Sequence, residues 1–322
     1  MTLPILATIF GIFLLLYSAD IFVDGASDTA KYFNIPSLLI GIVIIGFGTS
    51  MPELVVSFIS GIERTPGIAI GNAYGSNIAN IALILGTTAL ISPVIVNKSI
   101  LKKELPILTF VTLVSLFLIL DKNISRVDSI ILLFLFLGFM SYLIFDGLKA
   151  SKNIKENESL KKEKENISIL KAILFVLIGL VLLVVSSKIL VWGAVKIAGS
   201  LGVSELVIGL TVVAVGTSLP ELASSIVSAR KNEHDLTFGN IIGSNIFNTL
   251  ACVGIAGSIM PFSISKDIIF RDMGVLIFLT LILFLMGYNF KNKQGKISRF
   301  EGAFLLACYI AYTSILIFKS IN

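Results

Sequence analysis

Long apolar runs alternate with short polar breaks along the whole chain, and this alternation is its most regular feature. Each run is bounded by charged residues, Pro or Gly and extends for about 20 residues, the length an α-helix needs to cross a hydrocarbon layer of ~30 Å. The pattern therefore predicts ten membrane-spanning helices. They lie near residues 3–25, 36–62, 67–91, 103–120, 127–148, 168–198, 204–230, 235–259, 270–289 and 299–318.

Composition excludes a water-soluble globule. Of the 322 residues, 56% are hydrophobic and 14% are charged, and the mean hydropathy is +0.97, whereas soluble proteins carry about 25% charged residues. The first run lacks a basic start and a small-residue cleavage site, so we expect the chain to keep it as its first span. Cys252 and Cys308 lie inside apolar runs, where packing is their expected role. The sequence predicts an all-α polytopic membrane protein.

The first half of the chain recurs in the second half at a constant offset of 168 residues. The segment GIVIIGFGTSMPEL returns as GLTVVAVGTSLPEL with 7 of 14 positions identical, and GNAYGSNIAN returns as GNIIGSNIFN with 7 of 10 identical. Five spans per repeat is an odd number, so the second copy enters the membrane from the opposite side. We therefore predict two inverted five-helix repeats. They cover residues 1–148 (motif 41–80) and 168–322 (motif 209–248), joined by a charged linker at 149–167.

Inverted repeats are typical of secondary transporters, whose substrate site lies at the repeat interface near the bilayer midplane. A duplicated scaffold without a transport role is the alternative interpretation.

Of the 25 Lys and Arg residues, 17 lie on the linker side of the predicted membrane, 7 on the other side and Lys188 within a span. The positive-inside rule then places the linker in the cytoplasm and both termini outside the cell.

Two carboxylates lie in the middle of predicted spans. Glu53 and Glu221 occupy equivalent places in the repeated sequence Gly-Thr-Ser-x-Pro-Glu, and neither motif contains Lys, Arg or His to neutralise them. Ionisable residues at this depth usually mark a substrate or ion pathway. A structural pair of protonated, hydrogen-bonded glutamates is the alternative.

Other oxygen-bearing residues share helical stripes with these glutamates. Pro52 and Pro220 cannot donate a backbone hydrogen bond, which frees the carbonyls of Gly48 and Gly216. Pairs of small residues beside the second set of stripes predict close helix approach. For Asn72 and Asn240, helix packing and a direct role remain equally open. At a spacing of four residues the stripes are Thr49, Glu53, Ser57; Thr217, Glu221, Ser225; Asn72, Ser76, Asn80; and Asn240, Ser244, Asn248.

The polar residues in these stripes offer oxygen and no sulfur or imidazole, which suits hard cations. Ca²⁺ takes six to eight flexible oxygen ligands, Na⁺ is similar in size, and Mg²⁺ fits less well because it usually keeps several waters. Two carboxylates balance one Ca²⁺ or two monovalent ions. A third Na⁺ would leave the loaded site positive and make exchange sensitive to membrane voltage.

The paired GTSxPEL and GNxxGSNIxN blocks resemble the alpha repeats of the calcium/cation antiporter superfamily, most closely its prokaryotic sodium/calcium exchangers. The resemblance implies a calcium site at Thr49, Glu53, Thr217 and Glu221, and a sliding of spans 1 and 6 over the core. Asn248 stands where some members have Asp, which argues against potassium co-transport. The implied sodium ligands are Gly46, Ser50, Glu53, Ser76, Asn80, Ala214, Ser218, Glu221, Ser244 and Asn248.

These features together predict a secondary antiporter of the cell membrane that exchanges Na⁺ for Ca²⁺. A Ca²⁺/H⁺ antiporter that uses the same two glutamates is the nearest alternative. A passive cation channel and an intramembrane hydrolase are more remote, since neither accounts for the inverted duplication and no Ser/His, Cys/His or zinc motif is present. We expect no enzymatic activity and no cofactor. The expected partners are Ca²⁺, Na⁺ and the lipid bilayer, without nucleic acid or an obligate protein partner.

Overall fold

A computed structural model describes residues 2–157, 168–202, 214–288 and 295–321. Within them the chain is helical almost throughout, as its apolar composition requires, because a backbone in lipid must satisfy its own hydrogen bonds. The helices are α1 Thr2–Phe33, α2 Ser37–Thr49, α3 Met51–Ile62, α4 Gly67–Ile91, α5 Leu105–Ile119, α6 Arg126–Asn157, α7 Ile169–Ser200, α8 Ala214–Thr217, α9 Leu219–Arg230, α10 His234–Ile259, α11 Ile268–Gly287 and α12 Arg299–Ile321.

Among the described residues, seven helices are long and apolar enough to cross a membrane, or eight if α2 and α3 form one bent span. Two predicted spans fall outside this count. At 103–120 the helix α5 is preceded by a π-helical turn, Ile100–Glu104, that carries three charged residues. The span at 204–230 is described only from Ala214 onward. The count of ten spans stays a prediction, and residues 158–167 of the linker lie outside the described residues.

The interior of the molecule is built around α4 and α10. These two helices are the most enclosed of the candidate spans, whereas α1, α6, α7 and α12 expose most of their surface. Tyr74 on α4 and Phe238 on α10 are each 1% exposed. Large apolar side chains such as Phe134 and Phe300 point outward, as expected where lipid is the solvent. These two enclosed helices carry the two of the four polar stripes that contain asparagine.

Helices α1 and α7 pack against each other along their lengths. Four glycines allow this approach, two on each helix. A Cβ at Gly11 would lie 2.9 Å from the backbone nitrogen of Leu190, and one at Gly25 would lie 2.7 Å from that of Val176. The equivalents of these two glycines at the repeat offset are Gly179 and Gly193. A Cβ at either position would likewise lie within 3 Å of backbone atoms of α1. Neither helix has room for a larger residue at these points.

The turn between α9 and α10 contacts α1 through charged and polar side chains. Lys231 pairs with Asp20 and Asp24 at 2.7 and 2.6 Å, and Ser27 donates a hydrogen bond to Glu233 at 2.8 Å. Partial burial lowers the pKa of Lys231, but its hydrogen bonds to the two carboxylates raise it more, so the net pKa lies above the ordinary value. Asp20 and Asp24 on α1 therefore share one specific partner in the turn after α9.

Within the described residues, four short strands connect loops in two antiparallel pairs. The strands are β1 Val94–Val96, β2 Asn123–Ile124, β3 Phe262–Ser263 and β4 Gly295–Ile297. In one pair Val94 lies opposite Ile297, and in the other Asn123 lies opposite Ser263. The arrangement is reciprocal: the strand after α4 pairs with the strand before α12, and the strand after α10 pairs with the strand before α6.

Candidate functional site

Both copies of the GTSxPE motif break a helix at the serine. Ser50 has φ −85° and ψ 6°, and Ser218 has φ −90° and ψ 9°, so neither continues the α-helical path. Pro52 and Pro220 lie in the first turn of the helix that follows, where the missing N–H is not needed. The axes of α2 and α3 differ in direction by 47°. Each break places a glutamate in the first turn of a new helix, deep in the molecule.

The two glutamates are enclosed and largely without partners. Glu53 is 1% exposed and Glu221 is 2% exposed. Among the described residues, both carboxylate oxygens of Glu53 and Oε2 of Glu221 accept no hydrogen bond. Oε1 of Glu221 accepts one from the Ser50 hydroxyl at 3.1 Å. A buried charge without a partner costs several kcal/mol or more, so this pair calls for a cation or for protons.

Contacts across the repeats bring the predicted residues together. The Ser50 hydroxyl of the first motif reaches Glu221 of the second, and the Thr49 hydroxyl lies 3.2 Å from Oδ1 of Asn240. In the same region the Ser244 hydroxyl donates to the carbonyl of Gly46 at 3.2 Å. Hydroxyl, carbonyl and carboxylate oxygens of the two motifs therefore share one buried polar centre.

Asn72 and Asn240 hold the backbone of the two glutamates. The Asn72 amide donates to the carbonyl of Glu53 at 3.2 Å, and the Asn240 amide donates to the carbonyl of Glu221 at 3.1 Å. Asn240 also donates to Ser224 and Ser225, at 3.1 and 2.8 Å. The sequence left helix packing and a direct role at the site equally open for Asn72 and Asn240. These hydrogen bonds favour helix packing.

The remaining predicted residues have distinct environments. Ser76 is buried on α4. Ser218 is 2% exposed, and its hydroxyl has no partner among the described residues. Thr217 is half-buried in α8. Ala214 begins α8 directly after residues outside the description, so the expected role of its carbonyl stays untested.

Asn80 and Asn248 lie in π-helical segments, Ala79–Leu85 of α4 and Asn248–Cys252 of α10. The Asn80 amide donates to Oδ1 of Asn245 at 2.9 Å, and its own Oδ1 has no partner among the described residues. The Oδ1 of Asn248 accepts from the Cys252 thiol at 3.6 Å, while its Nδ2 is unpartnered in the described structure.

Sequence reasoning missed a second pair of asparagines. Asn77 donates to the Thr249 hydroxyl at 2.7 Å, and Asn245 donates to the carbonyl of Asn77 at 3.4 Å. Both residues are 1% exposed or less. They are equivalent at the repeat offset and both belong to the repeated GSN sequence, which is the signal that could have identified them. Their hydrogen bonds connect α4 to α10.

Two expectations about small residues need correction or qualification. The carbonyl freed at Gly216 is not left open, because the Ser187 hydroxyl donates to it at 2.7 Å. Close helix approach is found at Gly239, where a Cβ would lie 2.6 Å from the carbonyl oxygen of Leu38. At Gly71 and Gly75 a Cβ would meet no atom of the described structure within 4 Å.

A cavity of about 280 Å³ opens beside the two broken helices. Its walls include Pro52, Pro220 and Thr217 from the motifs, and Lys188 and Trp192 from α7. Within the described part of the chain, no three His, Cys, Asp or Glu side chains cluster in a way that could hold a metal ion, so the paired glutamates and neutral oxygens are the candidate ligands.

Known proteins resemble this chain over nearly its full length. A family model described as sodium/calcium exchanger protein matches residues 3–145 and 171–318. The chain is 40% identical over 320 residues to the putative antiporter CaxA of Alkalimonas amylolytica, covering 97% of this chain and 99% of that protein. It is 30% identical over 353 residues to the sodium/calcium exchanger MaX1 of Methanosarcina acetivorans, covering 98% and 99%.

A solved structure agrees with the fold as well. The sodium-calcium exchanger NCX_Mj, in crystals soaked with zero Na⁺ and Ca²⁺, superposes with a TM-score of 0.83 at 33% sequence identity, covering 98% of this chain and 99% of that one. The assignment follows from the apolar helices, the buried pair of glutamates and the similarity to sodium/calcium exchangers over nearly the full length of the chain. This chain is a multi-pass membrane protein that belongs to the sodium/calcium exchanger family.

Proposed function

We propose that this protein is an antiporter that exchanges Na⁺ for Ca²⁺ across the cell membrane by alternating access. The proposal is carried by one observation, the buried pair Glu53 and Glu221, in which three of the four carboxylate oxygens have no partner among the described residues. Oxygens in such a position gain most from a bound cation. Membership of an exchanger family supports cation transport rather than catalysis.

For Ca²⁺ we propose the ligands Thr49, Glu53, Thr217 and Glu221, through side chains and backbone carbonyls. The helix breaks at Ser50 and Ser218 support this set, since they turn backbone oxygens away from regular helical bonding. For Na⁺ we propose the same two glutamates with neutral oxygens around them. Those oxygens belong to Gly46, Ser50, Ser76, Asn80, Ala214, Ser218, Ser244 and Asn248.

Neutral oxygens favour Na⁺ over H⁺ as the counter-ion. Protons on Glu53 and Glu221 would neutralise the carboxylates without help from neighbours. The Ser218 hydroxyl and Oδ1 of Asn80 are also buried without partners among the described residues. A buried polar atom left unpaired costs about 1–3 kcal/mol, and a metal cation would remove that cost where a carboxyl proton would not.

We further propose that two inverted five-helix repeats, 1–148 and 168–322, form the transporter, with the linker 149–167 in the cytoplasm and both termini outside. Equivalent contacts support the symmetry: Asn72 and Asn240 bond to the two glutamate carbonyls, and the strand pairs β1–β4 and β2–β3 are reciprocal. Alternating access then takes the form of α1 and α7 sliding over the core.

Transport measured in proteoliposomes tests the counter-ion. Vesicles are loaded with Na⁺ and diluted into Na⁺-free buffer containing radioactive Ca²⁺, with equal pH on both sides and the voltage clamped by valinomycin and K⁺. We expect Ca²⁺ uptake that requires internal Na⁺. With the clamp removed, exchange of three Na⁺ for one Ca²⁺ should respond to an imposed voltage. Uptake that ignores Na⁺ but follows an acid-inside gradient would instead support Ca²⁺/H⁺ exchange.

Replacing one glutamate tests the site. Glu53→Gln removes a charge while keeping the shape, and we expect Ca²⁺ uptake to fall to the level of empty vesicles. Glu63→Gln is the matched control, because Glu63 lies at the exposed end of the same broken span. Uptake by Glu63→Gln should equal that of the unaltered protein. Normal uptake by Glu53→Gln would refute the assigned site.

A further inference from the structure

The contact between α1 and the turn after α9 lies between a helix proposed to slide and the core. The ammonium of Lys231, which directly follows α9, is 2.7 Å from a carboxylate oxygen of Asp20 and 2.6 Å from one of Asp24. The Ser27 hydroxyl donates to Glu233 of the same turn at 2.8 Å. These bonds have to break when α1 moves along the core.

The repeat supplies a second pair of opposite charges at the equivalent positions. At the offset of 168 residues, Asp20 corresponds to Lys188 on α7, and Lys231 corresponds to Glu63. Glu63 directly follows α3 as Lys231 follows α9, and their backbone angles agree, with φ −76° and ψ 0° for the first and φ −81° and ψ 4° for the second. The acid and the base have exchanged places, so the two equivalent residues again attract each other.

The second pair is not formed in the structure. Within the described part of the chain, neither the Glu63 carboxylate nor the Lys188 ammonium takes part in an ion pair, and both residues are exposed. Lys188 is the basic residue that the sequence places inside a span, where a charge without a partner is costly. An acid that comes within reach during transport would account for a lysine at this place.

Packing around the two helices differs in the same sense. On the side of α1, Val23 and the motif residue Thr49 are both 0% exposed. Their equivalents Val191 and Thr217 line the cavity of about 280 Å³, together with Lys188. The molecule is therefore closed where the first ion pair is formed, and it has a cavity where the second pair is not.

We propose that the Lys231–Asp20 pair and the Lys188–Glu63 pair are two latches that form in turn during transport, each only while the other is broken. In transporters with inverted repeats, one repeat moves against the other around a fixed site. When the repeats exchange conformations, the contact of α1 with the second repeat is replaced by the equivalent contact of α7 with the first. This inference rests on the proposed antiport, to which it adds the groups that hold each side shut. By the predicted orientation, the structure is closed on the cytoplasmic side.

Pairs of introduced cysteines test the latches. In a chain whose two native cysteines are replaced by Ser, one variant carries Asp20→Cys with Lys231→Cys, and a second carries Glu63→Cys with Lys188→Cys. During Na⁺-driven exchange in vesicles, a short bifunctional thiosulfonate should link each pair and stop Ca²⁺ uptake, and a reducing agent should restore it. Asp20→Cys with Glu63→Cys is the control. These two residues lie on opposite sides of the predicted membrane and should not be linked.

A variant with all four cysteines tests whether the latches exclude each other. Mass spectrometry of the intact chain should find one link or the other in each molecule, and two links in one molecule would overturn the proposal. Mutually exclusive links without Na⁺-driven Ca²⁺ uptake would refute the antiport and leave the latches standing. Na⁺-driven uptake by the variant with Glu63→Cys and Lys188→Cys, without any link between them, would overturn the latches and leave the antiport standing.

Reversing a charge separates attraction from mere proximity. Added to the variant with Glu63→Cys and Lys188→Cys, Lys231→Glu repels Asp20 and should speed the link about two- to fivefold, the factor that an exposed ion pair supplies. Arg230→Glu makes the same change of charge at the neighbouring exposed residue and should leave the rate unchanged. An unchanged rate for Lys231→Glu would overturn the proposal. The neutral change Glu63→Gln keeps an oxygen that accepts from Lys188, so uptake by that variant stays normal.

Discussion

At the scale of single residues, equivalent positions in the two repeats have unequal surroundings. Asn240 is 1% exposed, donates to three acceptors and lies 3.2 Å from the Thr49 hydroxyl, whereas Asn72 is half-buried and its amide donates to Glu53. Glu221 likewise accepts from Ser50, while the oxygens of Glu53 have no such donor in the described residues. The two halves of the site can therefore be distinguished by mutation.

The asparagine pair provides such a comparison. Asn240→Ala should lower the thermal midpoint more than Asn72→Ala, because it leaves several buried groups unpaired at about 1–3 kcal/mol each. It should also reduce Ca²⁺ uptake more strongly, since Thr49 and Glu221 both lose a support. Thermal unfolding in detergent and vesicle uptake, measured on both variants, check this. Equal losses would mean that the described contacts of Asn240 add nothing to the site.

At the scale of elements, the breaks in helices determine where the site lies. From Pro52 and Pro220 the sequence predicted freed backbone carbonyls, and from the repeat it predicted the equivalence of the two motifs. It could not predict which oxygens would meet across the repeats, because contacts such as Ser50 to Glu221 depend on how far α2 and α9 approach each other. The π-helical segments around Asn80 and Asn248 were also not predicted, since no composition signal marks them.

Close backbone contact also determines how near α2 lies to α10. A Cβ at Gly239 would lie 2.7 Å from Cα of Gly41, so Gly239→Ala should push the two helices apart. We expect a loss of about 1–3 kcal/mol, the usual cost of overpacking, together with weaker Ca²⁺ uptake. Gly274→Ala is the control, because a Cβ there meets nothing within 4 Å in the described structure. The thermal midpoints of Gly239→Ala and Gly274→Ala, measured in detergent, check this expectation. An unchanged midpoint for Gly239→Ala would show that the helices can separate at no cost.

At the scale of the whole molecule, the inverted arrangement has a consequence for sidedness. Ser320 near the C-terminus is predicted outside the cell, and Ser159 in the linker is predicted inside. We expect an impermeant maleimide to label Ser320→Cys in intact cells and Ser159→Cys only after permeabilisation, both in a background with Cys252 and Cys308 replaced by Ser. Labelling of Ser159→Cys in intact cells would reverse the orientation. Labelling of both residues from one side would refute an odd number of spans between them.

The glycine contacts between α1 and α7 determine how this pair can move. Because Gly11 and Gly25 touch the backbone of α7, and Gly179 and Gly193 touch that of α1, the two helices fit together near both ends without room for relative tilt. We therefore expect the two helices to move together as one rigid unit. A rigid unit that shifts toward one surface of the membrane withdraws from the other by the same distance. In the proposed antiport, opening one side would then require closing the opposite side, which guards the ion gradient against leakage.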